Sequence, residues 1–165
     1  MIGKEEACGS SGDEPHAWLA KRVSEIRAKR PIFIADFWND GHLVRGCIAG
    51  GRSYLHINAS GQVEPCAFVH FAVDNIHDRS LKDVLASPFF RLCQERQPFH
   101  SSHYAPCPIV DVPKDLREIV SLSSAEPMHP GADSVLTDEV ATVIDGRSKA
   151  WRPSANCLET TGSEQ

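Results

Sequence analysis

Cysteines stand at positions 8, 47, 66, 93, 107 and 157, and three of them lie where local structure can gather them. Cys47 sits in Gly46-Cys47-Ile48-Ala49-Gly50-Gly51, and Cys66 closes Gly61-Gln62-Val63-Glu64-Pro65-Cys66. A β-hairpin lies between them, so both thiols occupy its outer ends and point toward one place. Cys107 arrives later, in Pro106-Cys107-Pro108, where two prolines hold it in an extended loop. Converging thiolates in a chain without a secretion signal point to a metal or iron–sulfur site rather than a disulfide framework. Glycines beside Cys47 let backbone approach a bulky inorganic core, and amides there can donate to its sulfides.

The elements that must carry these residues are legible in turn. Asn58-Ala59-Ser60-Gly61 supplies the hairpin turn, with Gly61 free to take positive φ. Tyr54-Leu55-His56-Ile57-Asn58 alternates between faces, Val63 begins the return strand and Pro65 ends it. Ser80 caps a short helix with Leu81, Val84 and Leu85, and Ser87-Pro88 opens another with Phe89, Phe90, Leu92 and Cys93. Pro113 opens a helix through Leu116, Ile119 and Val120; Thr137 caps a last one with Val140, Val143 and Ile144. His56, His70 and His77 read as structural residues, and His129-Pro130-Gly131 as a turn.

Before the hairpin, Asp13 can cap a helix beginning near Pro15, with an apolar stripe of Trp18, Leu19, Val23 and Ile26. Ile32-Phe33-Ile34-Ala35-Asp36-Phe37 has the pattern of a strand buried on both faces. Asn39-Asp40-Gly41 marks a turn, and Asp36, Asn39 and Asp40 read as its solvated polar groups. One helix–strand unit cannot make a sheet, which predicts a truncated α/β element. Residues 1–13 read as a disordered leader and the polar segment from Pro153 as a disordered tail. Cys8 and Cys157, placed in those ends, are given no role.

The 165 residues suffice for a core, and 41% hydrophobic with 24% charged residues is ordinary for a globular chain. A net charge of −5 offers no basic field, which excludes nucleic acid as the expected partner. No apolar run approaches a membrane span and no signal peptide is evident, so a reducing cytoplasm is the expected compartment. No Gly-rich phosphate loop and no nucleophile elbow organises an alternative enzyme.

Together the residues carry a resemblance. Gly46-Cys47-x-Ala49-Gly50, His56-Ile57-Asn58, Gly61-x-Val63-Glu64-Pro65-Cys66, Asp74-Asn75-Ile76, Ser80-Leu81-x-Asp83-x-Leu85-x-Ser87-Pro88-Phe89-Phe90 and Pro106-Cys107-Pro108 resemble the C-terminal auxiliary-cluster region of radical SAM proteins, the SPASM or twitch domain. Thirteen residues separate Cys47 from Gly61 and four separate Gly61 from Cys66, the family's opening pattern of cysteine, glycine and cysteine. The resemblance covers about residues 31–131. It implies an α+β fold: a small hairpin-centred cluster domain with flanking helices over residues 43–131, a remnant helix–strand of a partial barrel over 14–42, and a C-terminal helix over 132–152.

The resemblance further implies one auxiliary 4Fe–4S cluster with Cys47, Cys66 and Cys107 among its ligands. Position 110, where a Cys-x2-Cys pair would end, is Val110. The fourth ligand is therefore open among Cys93, His100, His103, Asp111 and an exogenous group. The Cys-x3-Cys-x2-Cys motif of the SAM-binding cluster is absent, no two cysteines being closer than fourteen residues. The chain is thus expected not to cleave S-adenosylmethionine alone. It reads as a truncated product or a partner of a radical SAM catalytic chain, with a peptide or small-molecule substrate. S-adenosylmethionine would belong to the intact relative or that partner. The competing readings are a zinc- or thiol-stabilised binding module and a decayed fragment.

Overall fold

The computed structural model describes residues 14–162. The leader with its capping Asp13 lies outside the described residues, as do residues 163–165. Helix α1 (Glu14–Lys29) ends just short of Pro31, as the restriction on pre-proline residues requires. Its apolar stripe does not pack as expected: Trp18 is 65% exposed and Leu19 is exposed too, leaving Val23 and Ile26 half-buried. What anchors α1 is Arg27, whose guanidinium donates to both Asp40 oxygens at 2.7 and 2.6 Å and to the Ile34 carbonyl.

The expected buried strand at residues 32–37 does not form. The segment carries no ladder, and Phe33 is 92% exposed. An apolar run becomes a buried strand only when neighbouring strands take up its amides and carbonyls. Here the Ile34 carbonyl is taken by Arg27 instead. Residues 37–40 turn, as expected, into α2 (Gly41–Val44).

The hairpin forms as read, though short. Strands β1 (His56–Ile57) and β2 (Val63–Glu64) pair antiparallel, His56 opposite Glu64 and Ile57 opposite Val63. Asn58 Oδ1 accepts the amides of Ser60 and Gln62, and Gly61 sits at φ +82°. A second two-stranded ladder joins β3 (Phe71–Ala72) to β4 (Glu126–Pro127). Helix α3 (Leu81–Leu85) starts on Ser80, whose hydroxyl accepts the Asp83 amide at 3.2 Å and donates to the Asp83 carboxylate at 2.6 Å. Helices α4 (Pro88–Glu95) and α5 (Pro113–Ser123) follow their prolines as predicted. These sheets and helices make an α+β fold.

The core lies between the hairpin, α4 and α5. Phe71, Phe89, Phe90, Val63, Val84 and Ile119 are fully buried there. A 3₁₀ turn (Ala132–Val135) then leads to α6 (Asp138–Gly162), which starts right after Thr137 but contradicts two further expectations. Val140 and Val143 face solvent, and the buried residues of α6 are Ala141, Ser148, Ser154 and Ala155. From Pro153 to Gly162 the segment is not a disordered tail but a continuation of the helix. Proline inside a helix costs a hydrogen bond, yet tertiary contacts on both sides outweigh that loss. Trp151 Nε1 donates to the Tyr104 carbonyl, Ser102 Oγ to the Ala155 carbonyl, and Glu159 accepts from the His103 amide.

Candidate metal centre

Cys47 lies in a loop whose course is set from outside. The Arg52 guanidinium donates to the carbonyls of Val44, Arg45 and Cys47 at 2.7, 3.0 and 3.1 Å, clamping the backbone that presents the thiol. The Ala49 amide points back at the Cys47 sulfur, 3.4 Å away. The Gly50 amide reaches the Pro65 carbonyl at 3.0 Å, tying the Cys47 loop to the strand end that carries Cys66. Cys66 itself begins a tight turn closed by the Val69 amide on its carbonyl.

Cys107 is fixed by Asp111. The Asp111 carboxylate accepts the Cys107 amide at 2.8 Å, and the Asp111 and Val112 amides return to the Cys107 carbonyl. Cys93 comes from the buried face of α4. Gly50 makes its approach possible: at φ +70°, a Cβ on Gly50 would lie 2.8 Å from the Cys93 Cβ. The glycine therefore serves contact with α4 as well as lining the thiol cavity.

All four thiols line one cavity of about 30 Å³. Its other walls are apolar, among them Val69, Phe99, Ile109, Leu116 and Ile119. Burial raises every thiol above its ordinary range, and Cys93 and Cys107 are pushed up to about 12. Neighbouring thiols add to the effect, since Cys47 feels Cys66, and both Cys93 and Cys107 feel Cys47. Amide donors oppose it at the three loop cysteines: Ala49 at Cys47, Phe68 and Ala67 at Cys66, Val110 and Ile109 at Cys107. Cys93, on its helix, has no such donor among the causes of its shift.

This donor set suits an iron–sulfur cluster: soft thiols, apolar surroundings, and amides directed at sulfur. The volume holds about one water, so loading must spread the three loops. Among the described residues no three His, Cys, Asp or Glu side chains stand ready to hold a single ion. The four sulfurs ring a cavity rather than meet at a point.

The other candidates for a fourth ligand are occupied elsewhere. His100 Nδ1 accepts the Ser102 amide, His103 Nδ1 lies 2.9 Å from Glu159, and Asp111 holds the Cys107 backbone. None of the three lines the cavity. Asp36, Asn39 and Asp40 form an ordered network around Arg27 rather than a solvated turn, with Asn39 Nδ2 donating to Asp36 and the Asp36 amide to Asp40. Cys8 lies outside the described residues; Cys157, given no role, is on α6. Sequence reasoning missed Arg52 and the anchoring role of Asp111. The acid four residues after Cys107 was a local signal for the latter, since an aspartate side chain caps such a turn. Nothing local marked Arg52.

Residues 47–109 match the family model of the SPASM iron–sulfur cluster-binding domain. The match begins on Cys47, runs just past Cys107, and covers less than half of the chain. No curated protein and no solved structure matches the sequence. The resemblance read from the residues therefore holds over this segment, which is similar to the iron–sulfur cluster-binding domain. No helix among the described residues is long and apolar enough to cross a membrane.

Proposed function

We propose that this chain is an auxiliary iron–sulfur unit in which Cys47, Cys66, Cys93 and Cys107 hold one 4Fe–4S cluster beside a separate radical SAM catalytic unit. The observation that carries the reading is the arrival of four thiols, from four stretches of chain, at one apolar cavity within a segment that matches a cluster-binding family. Cys93 is the fourth ligand in this reading because it lines that cavity, whereas His100, His103 and Asp111 do not. When bound, such a cluster supplies one-electron redox chemistry. Four cysteine ligands leave no iron open to substrate, which favours electron transfer over substrate positioning.

The chain's own residues divide the remaining work. Burial keeps the free thiols protonated, so each must lose a proton to become a ligand. The amides facing Cys47, Cys66 and Cys107 stabilise the thiolate that results. Val69, Phe99 and Ile119 exclude water from the sulfur side. This sequence does not contain the Cys-x3-Cys-x2-Cys motif of a SAM-binding cluster, so cleavage of S-adenosylmethionine is assigned to the separate unit.

The test is iron, sulfide and zinc content with visible absorption, on protein purified without oxygen. About four iron and four sulfide per chain with a broad brown absorption are expected. Cys66→Ala should lose most of both, and Cys93→Ala should leave a cluster that loses iron readily. Zinc in place of iron would support a structural module, and protein with neither metal would overturn both readings.

A further inference from the structure

A second set of ligating side chains meets on the hairpin, apart from the thiol cavity. Glu64 is 2% exposed, yet its Oε2 has no hydrogen-bond partner. Asn58 Nδ2 holds the other oxygen, Oε1, at 3.0 Å and so fixes the carboxylate. His70 Nδ1 lies 3.5 Å from Oε2, and His56 Nε2, on the residue paired with Glu64, lies 4.0 Å away. Those distances exceed the ~2.7–2.9 Å of a charge-assisted hydrogen bond. They approach the ~3.3 Å between two donors of a tetrahedral ion with bonds of about 2.0–2.1 Å. A third imidazole is adjacent: the His129 ring centroid is 4.6 Å from that of His70. His129 Nδ1 is 3.0 Å from the Pro130 carbonyl, an acceptor only, so Nδ1 carries the proton and Nε2 keeps its lone pair.

We propose that Glu64, His56 and His70, with His129 as fourth donor, form a second metal site for a borderline divalent cation of the zinc class. A buried carboxylate oxygen without a partner is costly, and a cation at Oε2 removes that cost. As they stand, the four donors do not close on one point. Binding would require His56 and His70, 36% and 40% exposed, to turn inward while Asn58 holds Glu64 still. Imidazole and carboxylate are the donor types zinc accepts, and each bound histidine leaves its other ring nitrogen for an outer partner. The ion would tie the β1–β2 hairpin to β3 and to the turn after β4. None of its four donors lines the thiol cavity, so the site does not depend on the cluster reading.

The experiment loads the full chain, purified without oxygen, with zinc sulfate, desalts it, and measures metal content and zinc K-edge absorption. One retained zinc is expected, with nitrogen and oxygen neighbours at about 2.0 Å and no sulfur. His70→Ala and His56→Ala, at part-exposed positions that leave the core intact, should each weaken zinc binding more than tenfold without changing iron content. Glu64→Gln should do the same, with a thermal melt reporting whether its buried position disturbs folding. Sulfur neighbours around the zinc, no zinc retained, or undiminished binding in His70→Ala would each overturn the proposal. Iron content reports on the thiol cavity separately.

Discussion

Gly50 concentrates the site's geometry in a single residue. Its φ of +70° and the 2.8 Å that a Cβ would leave to the Cys93 side chain forbid any larger residue without movement. Gly50→Ala is expected to cost about 1–3 kcal/mol in urea unfolding, through backbone strain and overpacking against α4. The same substitution should push the Cys47 loop off the helix and lower metal retention. A variant as stable as the wild type would show that loop and helix part easily. The sequence marked this glycine as special, and Gly50 does line the thiol cavity; its contact with Cys93 was not legible because that neighbour lies over forty residues away in the chain.

At the scale of elements, two tethers act on the first and last described helices. Helix α6 grips the loop before Cys107 through Glu159, which accepts the His103 amide at 2.8 Å and faces the His103 ring. Glu159→Ala is expected to speed amide exchange across residues 102–105 and to destabilise the fold by about 1 kcal/mol. The other tether is Arg27 on Asp40. Hydrogen bonding from Arg27 holds the Asp40 carboxyl below its usual range and raises Arg27. The folded-state value is depressed, so the contribution is complete above the unfolded value, about 3.9, and is lost as pH falls through the lower folded value. Asp40→Asn should therefore flatten the acid limb of a stability–pH profile below about pH 4, by roughly 1 kcal/mol. An unchanged profile would mean that α1 is not held by this pair.

For the whole molecule, the thiol cavity links metal uptake to protons. Four buried thiols with raised pKa values enter loading protonated, and the ligand form of each is the thiolate. Uptake of metal by the metal-free chain should release up to about four protons per chain at neutral pH, and apparent affinity should rise with pH. Calorimetry in buffers of different protonation enthalpy reads that number directly. Release of fewer than about two protons would place the metal outside this cavity. The small cavity also requires the Cys47, Cys66 and Cys107 loops to separate on loading, while α4 and α5 stay packed through Phe89, Phe90 and Ile119.

The resemblance implied that Cys47, Cys66 and Cys107 belong together, while turn chemistry and proline positions were enough to place the hairpin, Ser80 as a cap, and helices α3 to α5. Those features depend on residues a few positions apart, whose sterics act in any context. Tertiary structure alone decided the rest. The run at 32–37 reads as a buried strand but has no strand beside it, and burial is a property of neighbours rather than of a segment. Pro153 reads as a helix stop, yet contacts from Tyr104, Ser102 and His103 carry α6 past it. Cys93 reads as one of several candidates for a fourth ligand, and it is the packing of α4 against Gly50 that brings it to the cavity the other three line.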